Sequence, residues 1–306
     1  MRYEQHPYFE FSFLEKFGIT PEQVKLFSEN NYHKFISLCK NKDNMLRMTL
    51  DMNTEWVFRS YYATKMIMSA TLLLNNADYC ISKNIMVPVP YLLYYAAFTS
   101  ARGFIYASPF TAENNLDKLV NASHQKVLNI VSDLIKKHVD REIGNKTEMF
   151  LNYLRDQREL FSYKFPASGI TDKIDFEGTV DICGLLAELT ELSSYKIQEV
   201  FEKKFINDSA CETNTEPNWM GFNEDLIKKS YTYESKGTIE EHPRIDYEDL
   251  YRIDYIQRKV KYPTSVLFTM REGMTEDFFG SWCSSDNADG DNFNPDLNWN
   301  RIFPIP

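Results

Sequence analysis

Five histidines, His6, His33, His124, His138 and His242, are the only imidazoles in the chain, so they bound its acid–base chemistry near neutral pH. None of them stands in a familiar reactive pattern. There is no H-E-x-x-H, no G-x-S-x-G turn and no Gly-rich phosphate loop, and the five cysteines form no CxxC pair. Asp286, Asp289 and Asp291 have a spacing that suits calcium, but the glycine and terminal glutamate of a calcium loop are not in place. An Asx-turn loop accounts for them, and neither a metal nor a cofactor is expected. Charge is more informative. Residues 118–164 hold nine Lys and Arg against six Asp and Glu, whereas residues 207–306 hold ten against nineteen. A polyanion would meet the first segment, through Lys126, Arg155, Arg158 and Lys164, and would be repelled by the second.

These residues need a scaffold, and its centre is the run Pro90–Tyr106. Tyr94, Phe98, Ala101 and Ile105 form a helical stripe, while Tyr91, Leu92 and Tyr95 keep the opposite side apolar. A helix apolar nearly all round is buried, so Tyr94 and Tyr95 are read as core. Ala96, Ala97, Ser100 and Gly103 let its neighbours come close. Arg102, inside this apolar run, should pair with a carboxylate or a helix-end carbonyl, since burying it alone is costly.

The other elements follow in order. Residues 1–19 carry an aromatic cluster that reads as a short strand or an arm. Thr20-Pro21-Glu22-Gln23 starts a helix with a capping box and a proline at its first position, running to about Cys39. Helical spacing returns over Glu55–Cys80, Ser123–Glu142, Asn145–Tyr163 (with Glu148 placed for a capping box) and Glu177–Phe205. Six helices joined mostly by short links imply a mainly α fold, an antiparallel helical bundle. The texture changes after residue 206, where β-like runs at Leu250–Val260 and Ser265–Met270 suggest a small irregular or α+β C-terminal extension. The expected divisions are 1–53 (arm and helix), 54–206 (bundle) and 207–306 (acidic extension).

Several of these features occur together in a telling order. An apolar helix precedes Tyr94-Tyr95-Ala96-Ala97-Phe98-x-x-Ala101-Arg102. Ser123-His124-Gln125-Lys126-Val127 follows, and then Tyr153-Leu154-Arg155-Asp156-Gln157-Arg158, ending near Tyr163. Over about residues 55–205 this series resembles the HEPN superfamily of helical nucleotide- and RNA-binding domains. The resemblance implies a bundle, often dimeric, in a prokaryotic defence or toxin system, whose active members are metal-independent endoribonucleases. Such members carry an Arg followed, after four to six residues, by a His. Imidazole there moves a proton and guanidinium stabilises phosphate charge. In this chain four residues separate Arg158 from Tyr163, so a tyrosine occupies the place of the histidine. A phenol with a pKa of about 10 is a poor base at neutral pH. His124 begins another helix and could meet Arg102, Arg155 or Arg158 across the bundle. The catalytic candidates are therefore His124, Arg158 and Tyr163, and the plain alternative for Arg155 is an i, i+4 ion pair with Glu159.

Composition sets the outer limits. The 306 residues are 43% hydrophobic and 15% aromatic, with only 11 Gly and 12 Pro, which suits a helical body with a large core. Unpaired cysteines and the charges through MRYEQHPYFEFSFLEKFG lead to the expectation of a cytoplasmic protein with no membrane span. Two functions follow. One is an RNA-directed HEPN-like component, an endoribonuclease if active. The other is a non-catalytic helical interaction protein that forms a homodimer or holds a protein partner.

Overall fold

The computed structural model describes residues 11–113, 116–169, 174–206, 218–223, 225–226, 232–234, 241–243, 246–270, 272–282 and 293–303. Among the described residues eight α-helices precede residue 201: α1 (Ser12–Lys16), α2 (Pro21–Leu38), α3 (Leu50–Ser82), α4 (Val89–Ala107), α5 (Leu116–Val120), α6 (His124–His138), α7 (Arg141–Glu159) and α8 (Phe176–Val200). The bundle is built round α4. It packs most closely on α3 and also meets α8, α6 and α7, as its apolar circumference requires. Gly103 explains how near α3 lies. A Cβ there would stand 3.0 Å from Ile67 Cδ1 and 3.3 Å from the Ala63 carbonyl oxygen.

Helix starts obey local chemistry. Thr20 and Gln23 form the reciprocal capping box on α2 that their spacing predicts. Thr49 caps α3 by accepting from the Met52 N–H, so that helix opens one and a half turns before Glu55. The Ser123–Glu142 expectation is shortened: α6 ends at His138, and Asp140 caps α7 through the N–H groups of Glu142 and Ile143. Asp140 is a better cap than Asn145 because its carboxylate satisfies two N–H groups left free at the helix start. Glu148, expected as a capping-box residue, instead pairs with Lys136 across the α6–α7 hairpin.

The N-terminal arm is helical in its described part. Phe11 and Leu14 are buried, and the Glu188 carboxylate on α8 accepts from the Phe13 N–H at 3.0 Å and the Leu14 N–H at 2.6 Å. Tyr8 and Phe9 lie outside the described residues.

Beyond the bundle come an antiparallel pair of three-residue strands, β1 (Thr232–Glu234) and β2 (Glu241–Pro243), and the helices α9 (Tyr247–Lys259), α10 (Val266–Thr269) and α11 (Glu272–Gly280). The fold is thus mainly α. Both runs expected as strands, Leu250–Val260 and Ser265–Met270, are helical. Asp246 and Asp249 make a capping box at the start of α9, and Ser265 accepts from the Phe268 N–H. These caps outweigh the strand propensity of the tyrosines, isoleucines and valines between them.

α9 rests on α3, where the buried Asp249 carboxylate accepts from the Tyr61 hydroxyl and the Lys65 ammonium, each at 2.5 Å. α10 is seated on α8: the Ser265, Val266 and Leu267 N–H groups donate to Gln198, Ser194 and Glu191. Among the described residues, no helix is long and apolar enough to cross a membrane.

Candidate functional site

Positions 94, 98 and 102 of α4 are four residues apart, so Tyr94, Phe98 and Arg102 line one side of that helix, with Tyr95 at its edge. The start of α6 is brought against this side. Ser123 caps α6 by accepting from the Lys126 N–H, which fixes His124 as the first helical residue. The His124 ring stacks on Phe98 with centroids 4.2 Å apart, and Tyr95 meets it edge-on at 5.9 Å. The Tyr94 hydroxyl oxygen lies 2.6 Å from His124 Nδ1. α7 closes the cluster by laying the Arg158 guanidinium over the Tyr94 ring, 4.9 Å from its centroid.

Proton positions follow from satisfaction. Tyr94 is 1% exposed, and its hydroxyl has no other hydrogen-bond partner among the described residues. A buried phenol that accepted from the ring would leave its own proton unpaired, which is costly. The phenol therefore donates to Nδ1, and the neutral ring carries its hydrogen on Nε2. Burial outweighs the opposing charges of Arg158 and Arg155 and, with the Tyr95 and Glu159 oxygens, holds the Tyr94 phenol protonated and pushes its pKa up to about 12. Burial also lowers the pKa of His124, and the positive charges of Arg158 and Arg102 lower it further. At neutral pH the ring is an uncharged N–H donor.

The arginines differ in their surroundings. Burial alone would favour neutral Arg158, but the Tyr95 and Tyr94 oxygens and the Glu159 carboxylate overcome it and hold the guanidinium charged. Its side chain is 16% exposed, one amino group contacts Glu159 at 3.1 Å, and its buried Nε has no partner. Arg102 donates to the Tyr106 hydroxyl at 2.6 Å and lies 3.5 Å from the Val120 carbonyl at the end of α5. Of the two partners expected for it, it has the helix-end carbonyl. Arg155 contacts Asp156 at 3.0 Å, bonds to Gln125 beside His124, and reaches Glu159 at 4.0 Å, the i, i+4 pair.

The structure thus brings His124, Arg158 and Arg155 together, with the Arg102 guanidinium 6.0 Å from the Phe98 ring centroid. It does not bring Tyr163 with them. That residue lies in the π-helical turn Leu160–Lys164, is 80% exposed, and has no hydrogen bond or ring contact among the described residues. Lys126 and Lys164 are exposed near the start of α6 and at the end of that turn. Tyr94, Tyr95 and Phe98 are the site members that core reasoning passed over. Tyr95, expected in the core, is 37% exposed, although His124 of α6 meets it edge-on. The signal was Arg102 on the stripe of Tyr94 and Phe98: a charge at that register marks where the apolar circumference is open.

Two other histidines are described away from this cluster, and His6 lies outside the described residues. His138 stacks on Phe110 at 3.7 Å and His33 lies edge-on to Tyr32 at 5.7 Å. Among the described residues no group of three His, Cys, Asp or Glu side chains could hold a metal. Asp286, Asp289 and Asp291 lie outside those residues. No protein-family profile, curated protein or solved structure matches the chain.

Proposed function

We propose that the chain is a HEPN-like, RNA-directed component of a prokaryotic defence or toxin system. In this reading the Arg158–His124 cluster grips RNA phosphate without cutting the strand. One observation supports it above others: a charged guanidinium and a neutral imidazole both rest against Tyr94, and among the described residues no carboxylate is bonded to the ring to make it a base. Phosphate oxygens accept from such donors, and an arginine offers them in a planar fork. Glu159 and Asp156 take part of that donor capacity and leave the rest for a ligand. Arg155, Lys126 and Lys164 extend the positive surface along the same two helices. If RNA is cut, His124 and Tyr163 are the acid–base candidates, and their separation argues against their acting as a pair.

The test is binding of a single-stranded RNA oligonucleotide at several salt concentrations. The expected affinity falls steeply with salt because bound phosphates release counterions. Arg155→Ala and Arg158→Ala should each weaken binding and flatten that dependence by about one contact, while the RNA stays intact. Salt-insensitive or undetectable binding overturns the RNA reading. RNA fragmentation in expressing bacteria, relieved by His124→Ala, overturns the non-cutting part and makes the protein an endoribonuclease. The second reading, a non-catalytic protein that dimerises or holds a partner, is favoured by three large exposed side chains on α7 and just after it: Met149, Tyr163 and Phe165. A stable homodimer with no affinity for RNA would select it.

A further inference from the structure

A cavity of about 310 Å³ opens between α9, α10 and α11, sharing no residue with the His124 cluster. Its walls are mostly apolar. Tyr251, Tyr255 and Ile256 come from one face of α9, Phe268 from α10 and Met274 from α11. That volume is at the lower end of those that hold small molecules, and an apolar wall with few polar groups is their usual lining.

The polar group that matters is Arg252. Its side chain is 13% exposed, so its charge is largely withdrawn from water. Only one of its five N–H groups has a hydrogen-bond acceptor among the described residues, the Met274 carbonyl oxygen at 3.2 Å. Among the described residues the nearest carboxylate oxygen, on Asp277, lies 3.8 Å away, beyond hydrogen-bonding distance, on a side chain 75% exposed. An exposed pair at that separation is weak. Among the described residues, none of its other guanidinium nitrogens is a sealed, unpartnered atom, and Arg252 is one of the residues that line the cavity. A mostly buried guanidinium with spare donors beside aromatic rings matches a flat apolar body that ends in a carboxylate, whose two oxygens accept from the fork together.

We propose that this cavity is a binding site for a small aromatic carboxylate, held between the tyrosine and phenylalanine rings with its anionic end on Arg252. Asp277 competes for the same guanidinium, and Glu248 at the rim repels the ligand. Both carboxylates therefore weaken binding. The site stands apart from the RNA reading and does not depend on it.

Three probes of one shape test the idea by calorimetry on the full chain: 2-naphthoate, 2-naphthamide and 2-naphthylmethylammonium. The carboxylate should bind at least ten times more tightly than the amide, and the ammonium most weakly. Arg252→Met should remove the preference for the carboxylate while leaving amide binding in place. Asp277→Asn, which keeps Arg252 and the walls, should tighten the carboxylate several-fold and so serves even if Arg252→Met fails to fold. Equal affinity for all three probes, preference for the ammonium, no binding of any probe, or no gain with Asp277→Asn would each overturn the proposal.

Discussion

The protonation state of His124 is set by its neighbours, and each contribution can be removed separately. Burial keeps the ring uncharged, and the guanidinium groups of Arg158 and Arg102 add repulsion. Replacing Arg158 with Met removes one positive charge and keeps the apolar stem over Tyr94. The His124 pKa should rise towards its ordinary value yet stay below it, because the burial remains. An NMR titration of the imidazole carbons reads this directly, and an unchanged midpoint would show that Arg158 does not face the ring. The stability consequence has a definite sign. With the folded-state value below the unfolded one, the unfolded chain takes up the proton first. The contribution of neutral His124 is therefore present above the ordinary value of about 6.5 and lost as pH falls below it. At this scale the sequence was partly readable. His124 as a helix start could be read from its spacing, and an arginine from another helix beside it was open among Arg102, Arg155 and Arg158. The Tyr94 hydroxyl as the group that chooses the imidazole tautomer could not, because a tyrosine on an apolar stripe looks like core until its hydroxyl partner is known.

α8 is the element that carries the most buried polar chemistry, and its role could not be seen in one dimension. Glu188, Glu191, Ser194 and Gln198 accept N–H groups from the starts of α1 and α10, so this one helix satisfies the free ends of two short ones. In sequence the same residues interrupt an apolar pattern and resemble a solvent-facing side. Thr20 and Gln23 were legible because their partners are three residues apart, and Glu188 was not because its partners are 174 and 175 residues away. The glutamate also leaves a measurable trace. Burial outweighs the bonds from Phe13, Leu14 and Ser12 and pushes its pKa up to about 8. A carboxyl with a raised folded-state value binds its proton more tightly in the native chain. Stability linked to Glu188 is therefore complete below about 4.5 and is lost as pH rises towards 8, a change on the order of 5 kcal/mol. Urea unfolding at intervals of pH should show that decline in the wild type. In Glu188→Gln, which has no proton to lose, it should vanish, and a decline of the same size in both would assign the effect to other groups.

At the scale of the molecule the question is whether residues after 206 form an appendage or a part of the bundle. The change in composition at that point suggests a boundary, and composition is all that a sequence offers there. Packing tells more. Ile253, Val266, Phe279, Ile302 and Phe303 are buried in the same apolar cluster as the inner faces of α3, α4 and α8. Among the described residues of the last third, Asp225, Asp246, Glu248, Asp254, Glu276, Asp277 and Asp296 are exposed, while these apolar side chains continue the core. Asp249 is the most sensitive joint, since it ties α9 to Tyr61 and Lys65 and also completes the α9 capping box. Asp249→Ala would strand a buried hydroxyl and a half-buried ammonium and should cost about 3 kcal/mol. A shared core makes a further demand on the same variant. In a Trp56→Phe background, which leaves Trp219, Trp282 and Trp299, far-UV circular dichroism, which reports mainly on the bundle, and fluorescence should lose their signals at one common denaturant concentration, shifted equally from the midpoint of the same background with Asp249 in place. Two separate transitions, with only the fluorescence moving in the variant, would mean that the C-terminal helices fold as a unit of their own.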